Sequence, residues 1–260
     1  MANIAQFFAQ HLTAPDKPLY RRYADDRWSD VSVGELAALV GRWQGALQQL
    51  RFEPGDRIAI CLKNSVDWVA LDLAALGLGI VVVPLYVDDN ADNVAWCAAN
   101  AEAKAMIVES TPGGEALTRT GTALPPLYVL HPDAGNAEPS VAALLPASAP
   151  APRFASLPDD TLATICYTSG TSGRPKGVML SHGNIIANVR SCRETGMART
   201  SDTFLSILPL SHMFERTGGY YLPLSLGAKV IFCRGVALLA EDLATQAPTV
   251  MFAVPRIFEK

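Results

Sequence analysis

Between residues 168 and 177 the chain reads Thr-Ser-Gly-Thr-Ser-Gly-Arg-Pro-Lys-Gly. Four hydroxyls, three glycines and one lysine within ten residues are the parts of a polyphosphate cradle. Glycines let backbone N–H groups approach an anion closely, because no Cβ intervenes. Hydroxyls donate to phosphate oxygens or coordinate a hard cation, and lysine adds a compact positive charge. The apolar run Leu162-Ala163-Thr164-Ile165-Cys166-Tyr167 reads as a strand leading in, and Val178-Met179-Leu180 as a short strand leading out. The Walker arrangement does not apply, because Lys176 follows Pro175 and precedes Gly177. The plain alternative is a flexible Gly/Ser linker. The flanking strands and the Pro-Lys-Gly exit weigh against it.

A second cluster, Leu208-Pro209-Leu210-Ser211-His212-Met213-Phe214-Glu215-Arg216, falls where a strand gives way to a helix. Such junctions, at the carboxyl ends of strands, are where α/β folds bind ligands. His212 is expected on the first helical turn, near N–H groups that favour negative charge. A histidine merely satisfied at a helix cap is the plain alternative. Glu215 and Arg216 read equally well as a solvent-facing pair on the helix.

The stretch from Tyr167 to Val178 resembles the signature loop of the adenylate-forming superfamily, which includes acyl-CoA synthetases, luciferases and the adenylation domains of peptide synthetases. The resemblance implies that Thr168, Ser169, Gly170, Thr171, Ser172, Gly173 and Lys176 wrap the β- and γ-phosphates of ATP. Thr171 is then the candidate for touching Mg²⁺. The 208–216 stretch is similar to the family's second motif, which places His212 where a substrate carboxylate meets the α-phosphate. His212 and Lys176 are therefore the candidate catalytic residues. The form of this motif, with Gly218-Gly219-Tyr220-Tyr221 after it and the run 249–260, resembles the long-chain fatty acyl-CoA synthetase branch. ATP, Mg²⁺, coenzyme A and a fatty acid are the implied cofactors and substrates. A cytoplasmic location is expected, including the inner face of a membrane reached through a lipid substrate.

Other segments carried by the family have no counterpart here. They are a Tyr-Gly-x-Thr-Glu segment with a Mg²⁺-binding glutamate, a ribose-gripping Thr-Gly-Asp segment, a hinge and a mobile domain with a catalytic lysine. The expectation is an N-terminal fragment that is inactive by itself. The competing expectation is a non-catalytic module that binds a nucleotide or a partner.

Around these motifs the periodicity predicts an alternation of elements. Helices are expected at 4–11, 32–50, 65–78, 91–100, 181–193, 211–226 and 237–246. Strands are expected at 18–24, 27–31, 57–62, 80–83, 105–108, 127–130, 203–208, 229–233 and 249–254. Ser32 and Glu35 form a capping box in the sequence. Residues 132–160 look like a linker, with one helical turn near 141–145. Alternation of this kind implies mostly parallel sheets with right-handed crossovers. Family resemblance implies a layered αβαβα fold. One subdomain is expected at about 53–194, and a second from about 1–50 with 203–260. The loop 168–176 is expected to be poorly ordered without an anion.

The 260 residues are half apolar and carry 21 basic against 25 acidic side chains, a net charge of −4. That balance lacks the basic footprint of a nucleic-acid binder. The five cysteines include no CxxC pair, so neither a zinc site nor a disulfide framework is expected. The greasiest stretch, 73–87, is broken by Gly77, Gly79 and Pro84 and is too short to span a bilayer.

Overall fold

A computed structural model describes residues 3–135, 139–148, 150–168 and 173–257. Its strands, in chain order, are β1 (Pro18–Ala24), β2 (Arg27–Ser32), β3 (Arg57–Cys61), β4 (Val81–Pro84), β5 (Ala105–Ser110), β6 (Leu127–His131), β7 (Leu162–Thr168), β8 (Lys176–Ser181), β9 (Thr203–Ser206), β10 (Lys229–Phe232) and β11 (Val250–Met251). The helices are α1 (Gln6–Ala9), α2 (Val33–Gln49), α3 (Val66–Gly77), α4 (Ala91–Asn100), α5 (Thr111–Thr118), α6 (Val141–Leu144), α7 (His182–Glu194), α8 (Met213–Glu215), α9 (Leu222–Leu226) and α10 (Leu239–Gln246).

Two sheets result. One has the order β6-β5-β3-β4-β7-β8 and is parallel except for the β7–β8 hairpin. The other has the order β11-β9-β10-β1-β2 and is parallel except for β1–β2. The buried runs Ile58–Cys61 and Val81–Pro84 show why the centre of the first sheet is parallel, since both of its faces are covered. Alternate residues of β3 and β4 point into different cores. Ile58, Ile60 and Val82 join α2 and α3, together with Leu19, Phe204 and Val230 of the second sheet. Ala59, Cys61 and Val83 instead meet α4 and Leu117 of α5. On the far side of the second sheet, Leu205 and Ile231 pack against Leu239 of α10. The layers therefore run αβαβα, the architecture expected.

Local chemistry sets the helix starts. The Ser32 N–H donates to Glu35 Oε2 at 2.7 Å, and the Glu35 N–H donates to Ser32 Oγ at 3.2 Å, closing the capping box ahead of α2. Ser65 and Ser181 cap α3 and α7 in the same position. Every residue of α3 except Asp67 is buried, because the helix lies between the two sheets.

Several expectations need correction. Helix α5 was hidden by Pro112, Gly113 and Gly114, poor helix formers whose cost is met by packing. The strand expected over 249–254 shrinks to two residues, because Phe252 turns inward to stack on Phe204 with ring centroids 6.4 Å apart. The stretch 150–160 is docked on the core. Gln44 Oε1 accepts from the Arg153 N–H at 2.8 Å, the Ala155 N–H donates to Gly77 O at 2.7 Å, and Phe154 meets Phe8 edge-on. The helix expected over 211–226 is three pieces: α8, a π-helical turn over Arg216–Tyr221, and α9, closed by Gly227 at φ 68°.

Candidate active site

A cleft of about 510 Å³ opens at the carboxyl ends of β4 and β7. It is walled by Tyr86 and Asp89 beyond β4, by Tyr167 and Thr168 at the end of β7, by Gly173, and by Ser211 and His212 ahead of α8. The two clusters singled out in the sequence therefore meet across one opening, although more than thirty positions separate them in the chain. Of the residues expected to hold phosphate, Thr168 is exposed at the rim and Lys176 is exposed opposite it, the two paired in antiparallel register. Gly173 has φ 129°, a conformation that side chains resist, and nothing within 4 Å of where a Cβ would stand. Ser169, Gly170, Thr171 and Ser172 lie outside the described residues, so the expected order of the loop lies outside them as well. On the other wall the exposed His212 ring faces Tyr86, with centroids 5.9 Å apart.

Side-chain contacts hold the end of β7 against α4. The Tyr167 hydroxyl donates to Asn100 Oδ1 at 2.7 Å, and the Tyr167 ring meets Trp96 edge-on. The Arg174 guanidinium lies 5.7 Å from the centre of the Trp96 ring. Cys97 also borders the cleft, but burial pushes its thiol up to about 12, which leaves it a neutral wall residue. All five cysteines are free, and none is near a cluster able to hold a metal among the described residues.

Glu215 and Arg216 are not the surface pair that their charges suggested. Both are fully buried. Arg216 ion-pairs with Asp72 of α3, donates from Nη1 to Thr164 Oγ1 at 2.8 Å, and lies over the rings of Trp68 and Tyr221. The Tyr221 hydroxyl donates to the other Asp72 oxygen at 2.9 Å. Thr164 passes its own proton to Val82 O at 2.6 Å. One guanidinium thus ties the helix after His212 to α3 and β7, and the Thr164 hydroxyl carries the link on to β4. Glu215 accepts from Ser206 Oγ at 2.7 Å, and burial pushes its carboxyl up to about 7. His182 lies deeper, accepting from the Ile4 N–H at 3.2 Å, and burial holds its imidazole down at about 4.

Beside His212 a second opening of about 540 Å³ runs between α7 and α8, with Leu180 of β8 at its side. Leu180, Ile185, Met213, Phe214 and Phe252 supply an apolar lining. Phe214 of its lining is 55% accessible.

A family model described as AMP-binding enzyme matches residues 7–260. The chain belongs to the AMP-binding enzyme family. It is an AMP-binding domain of the adenylate-forming superfamily, homologous to acyl-CoA ligases. It is 31% identical to the long-chain-fatty-acid–CoA ligase FadD15 of Mycobacterium tuberculosis over 98% of this chain and 44% of the relative. It is likewise 31% identical to human long-chain-fatty-acid–CoA ligase 1 over 95% of this chain and 37% of the relative. The chain therefore spans less than half the length of these relatives. Its fold matches the anthranilate CoA ligase AuaEII, solved with anthranoyl-AMP, at a TM-score of 0.89 and 17% identity, covering 98% of this chain and 50% of the other. It matches the benzoate CoA ligase of Burkholderia xenovorans LB400 at 0.85 and 24% identity, covering 99% and 51%.

Asn64, Asp72 and Thr164 have no motif to mark them in the sequence. Only the fold brings them to the site, across 144 positions between Asp72 and Arg216 and 52 between Thr164 and Arg216.

Proposed function

We propose that this chain forms the phosphate-binding and acyl-binding part of an AMP-forming fatty-acid:CoA ligase that acts on long-chain acids. The observation that carries the reading is the shared cleft of Thr168, Gly173 and His212, with the apolar groove of Met213 and Phe214 beside it. An anion fits one end, because Gly173 leaves its backbone open and Lys176 stands exposed across the hairpin. A hydrocarbon chain fits the other end.

In the proposed reaction a carboxylate oxygen attacks the α-phosphorus of ATP. The bond from that phosphorus to the bridging oxygen breaks, and pyrophosphate leaves. The thiol of coenzyme A then gives up its proton, attacks the acyl carbonyl, and AMP departs. Such chemistry asks the protein mainly to position two anions and to neutralise developing charge. Thr168, Ser169, Gly170, Thr171, Ser172, Gly173 and Lys176 would hold the leaving pyrophosphate. His212 would orient the carboxylate from the acyl side. Mg²⁺ supplies further charge neutralisation when bound, with the Thr171 hydroxyl as this chain's candidate contact.

FadD15 and the human ligase are both named for long-chain fatty acids, and the 31% identity to each supports that branch. No helix among the described residues is long and apolar enough to cross a membrane. Contact with a membrane would come through the lipid substrate. The two sheets supply a natural frame for subdomains at about 53–194 and at about 1–50 with 203–260.

The test is exchange of labelled pyrophosphate into ATP, driven by palmitate, octanoate or benzoate, in protein of full family length carrying this chain. Palmitate-driven exchange abolished by Lys176→Ala and reduced by His212→Ala is the expected result. Exchange driven by benzoate alone would replace the long-chain reading with an aryl one.

A further inference from the structure

The strand leading to His212 stops early. β9 ends at Ser206, and residues 207–210 form a turn that includes Pro209, which has no N–H to offer. The polar groups of that turn are met from outside. Asn64 Nδ2 donates to Leu208 O at 2.7 Å and to Ser206 Oγ at 3.0 Å. Asn64 Oδ1 accepts from the Leu210 N–H at 2.9 Å. One carboxamide thus uses both of its donor hydrogens and its acceptor on a single five-residue stretch, 206–210.

Asn64 is itself firmly placed. It sits between β3 and the Ser65 cap of α3, where the Trp68 N–H donates to Ser65 Oγ at 3.2 Å. The preceding Lys63 N–H donates to Glu109 Oε2 at 2.9 Å. The asparagine belongs to the first sheet's edge of the opening, and the turn it grips belongs to the second sheet. Beyond the turn, the His212 N–H donates to Pro209 O at 3.0 Å, so His212 inherits the position of the turn. Leu210 is buried and fixes the depth of the turn, but a single apolar side chain sets no direction along the cleft. The three hydrogen bonds of Asn64 do.

We infer that Asn64 is a positioning residue for His212, holding the 206–210 turn from the opposite sheet and so setting where Ser211 and His212 stand against the phosphate loop. The functional weight of that placement rests on the acyl-activation reading above. The placement itself does not, and the two are tested separately.

The experiment is NMR of the 260-residue chain with labelled histidines, the His212 imidazole being assigned from His212→Gln. Asn64→Ala should displace the His212 imidazole and Ser211 amide resonances by more than a linewidth. The resonance of buried His182 should stay in place, which reports an intact core. Exchange of the Leu210 amide should quicken by roughly tenfold, as expected for one lost hydrogen bond. Asn64→Asp keeps an acceptor for Leu210 but loses both donors. It should protect the Leu210 amide and still displace His212, and it carries the test if Asn64→Ala does not fold. Unmoved His212 and Ser211 resonances in a folded variant would overturn the inference. Titrating the wild-type chain with pyrophosphate and with decanoate tests the other reading. Absence of any saturable change at Thr168 or His212 would sink that reading while the positional result still stood.

Discussion

Arg216 and Asp72 form an ion pair in which neither side chain has any solvent exposure, although α3 and the helix after His212 come from opposite halves of the chain. Removing two charges from water is costly, and the compensation here is geometric. Asp72 also accepts from the Tyr221 hydroxyl, and Arg216 also donates to Thr164. Truncating one partner leaves the other charged, buried and unpaired. Asp72→Ala and Arg216→Ala should each cost about 3–5 kcal/mol in urea unfolding. Asp72→Leu combined with Arg216→Met should cost much less than the sum of the single changes. Additive losses would mean that the two side chains act independently.

Two buried groups should give opposed pH dependences. The Glu215 carboxyl is raised from 4.5 to about 7, so its contribution is complete below pH 4.5 and is lost as pH rises towards 7. The His182 imidazole is lowered from 6.5 to about 4, so its contribution is complete above pH 6.5 and is lost as pH falls towards 4. Each gap corresponds to roughly 3 kcal/mol. Between about pH 4.5 and 6.5 the two slopes cancel. Glu215→Gln should unmask the histidine, so that stability climbs with pH across that window. His182→Asn should unmask the carboxyl, so that stability declines with pH. Urea midpoints measured over a pH series decide this, and parallel profiles for wild type and both variants would refute it.

The features legible in the sequence were those written locally. The hydroxyl-and-glycine run, the Ser32–Glu35 capping box and the β-branched run Val81–Val83 each announce themselves within a few residues. The mostly parallel sheets follow from the alternation of elements, whereas the αβαβα layering was implied by the family resemblance. Glu215 and Arg216 were not legible, because adjacent opposite charges on a helix look the same whether they face water or a distant partner. Arg216 is buried only because Asp72 arrives from α3, and nothing near Asp72 records that. Asn64 is a similar case: an asparagine after a strand reads as a turn residue, and its three partners lie on the other sheet.

The π-helical turn also depends on a glycine. A Cβ placed on Gly219 would lie 2.3 Å from Glu215 Oε1, and that oxygen is held by Ser206. The buried carboxylate has little room to retreat, so Gly219→Ala should destabilise by about 1–3 kcal/mol. In a Glu215→Ala background Gly219→Ala should cost much less, since the clashing oxygen is then gone. Thermal unfolding of the single and double variants tests this, and a neutral Gly219→Ala would show that the carboxylate is free to move.

ATP binding by the 260-residue chain should be weak. On the proposed reading the loop 168–176 would offer a few charge-assisted hydrogen bonds, each worth about 1.5–3 kcal/mol net. Association sets against them a loss of translational and rotational freedom on the order of 4–15 kcal/mol. Among the described residues no cluster of three His, Cys, Asp or Glu side chains stands ready to hold the metal that accompanies the nucleotide. The remaining balance corresponds to a dissociation constant of about 1 mM or weaker. Pyrophosphate should compete for the same loop, since the contacts expected there are to phosphate oxygens. Calorimetry with ATP and Mg²⁺, repeated with pyrophosphate present, measures both quantities. Micromolar ATP binding would mean that this chain holds the base and ribose as well as the phosphates.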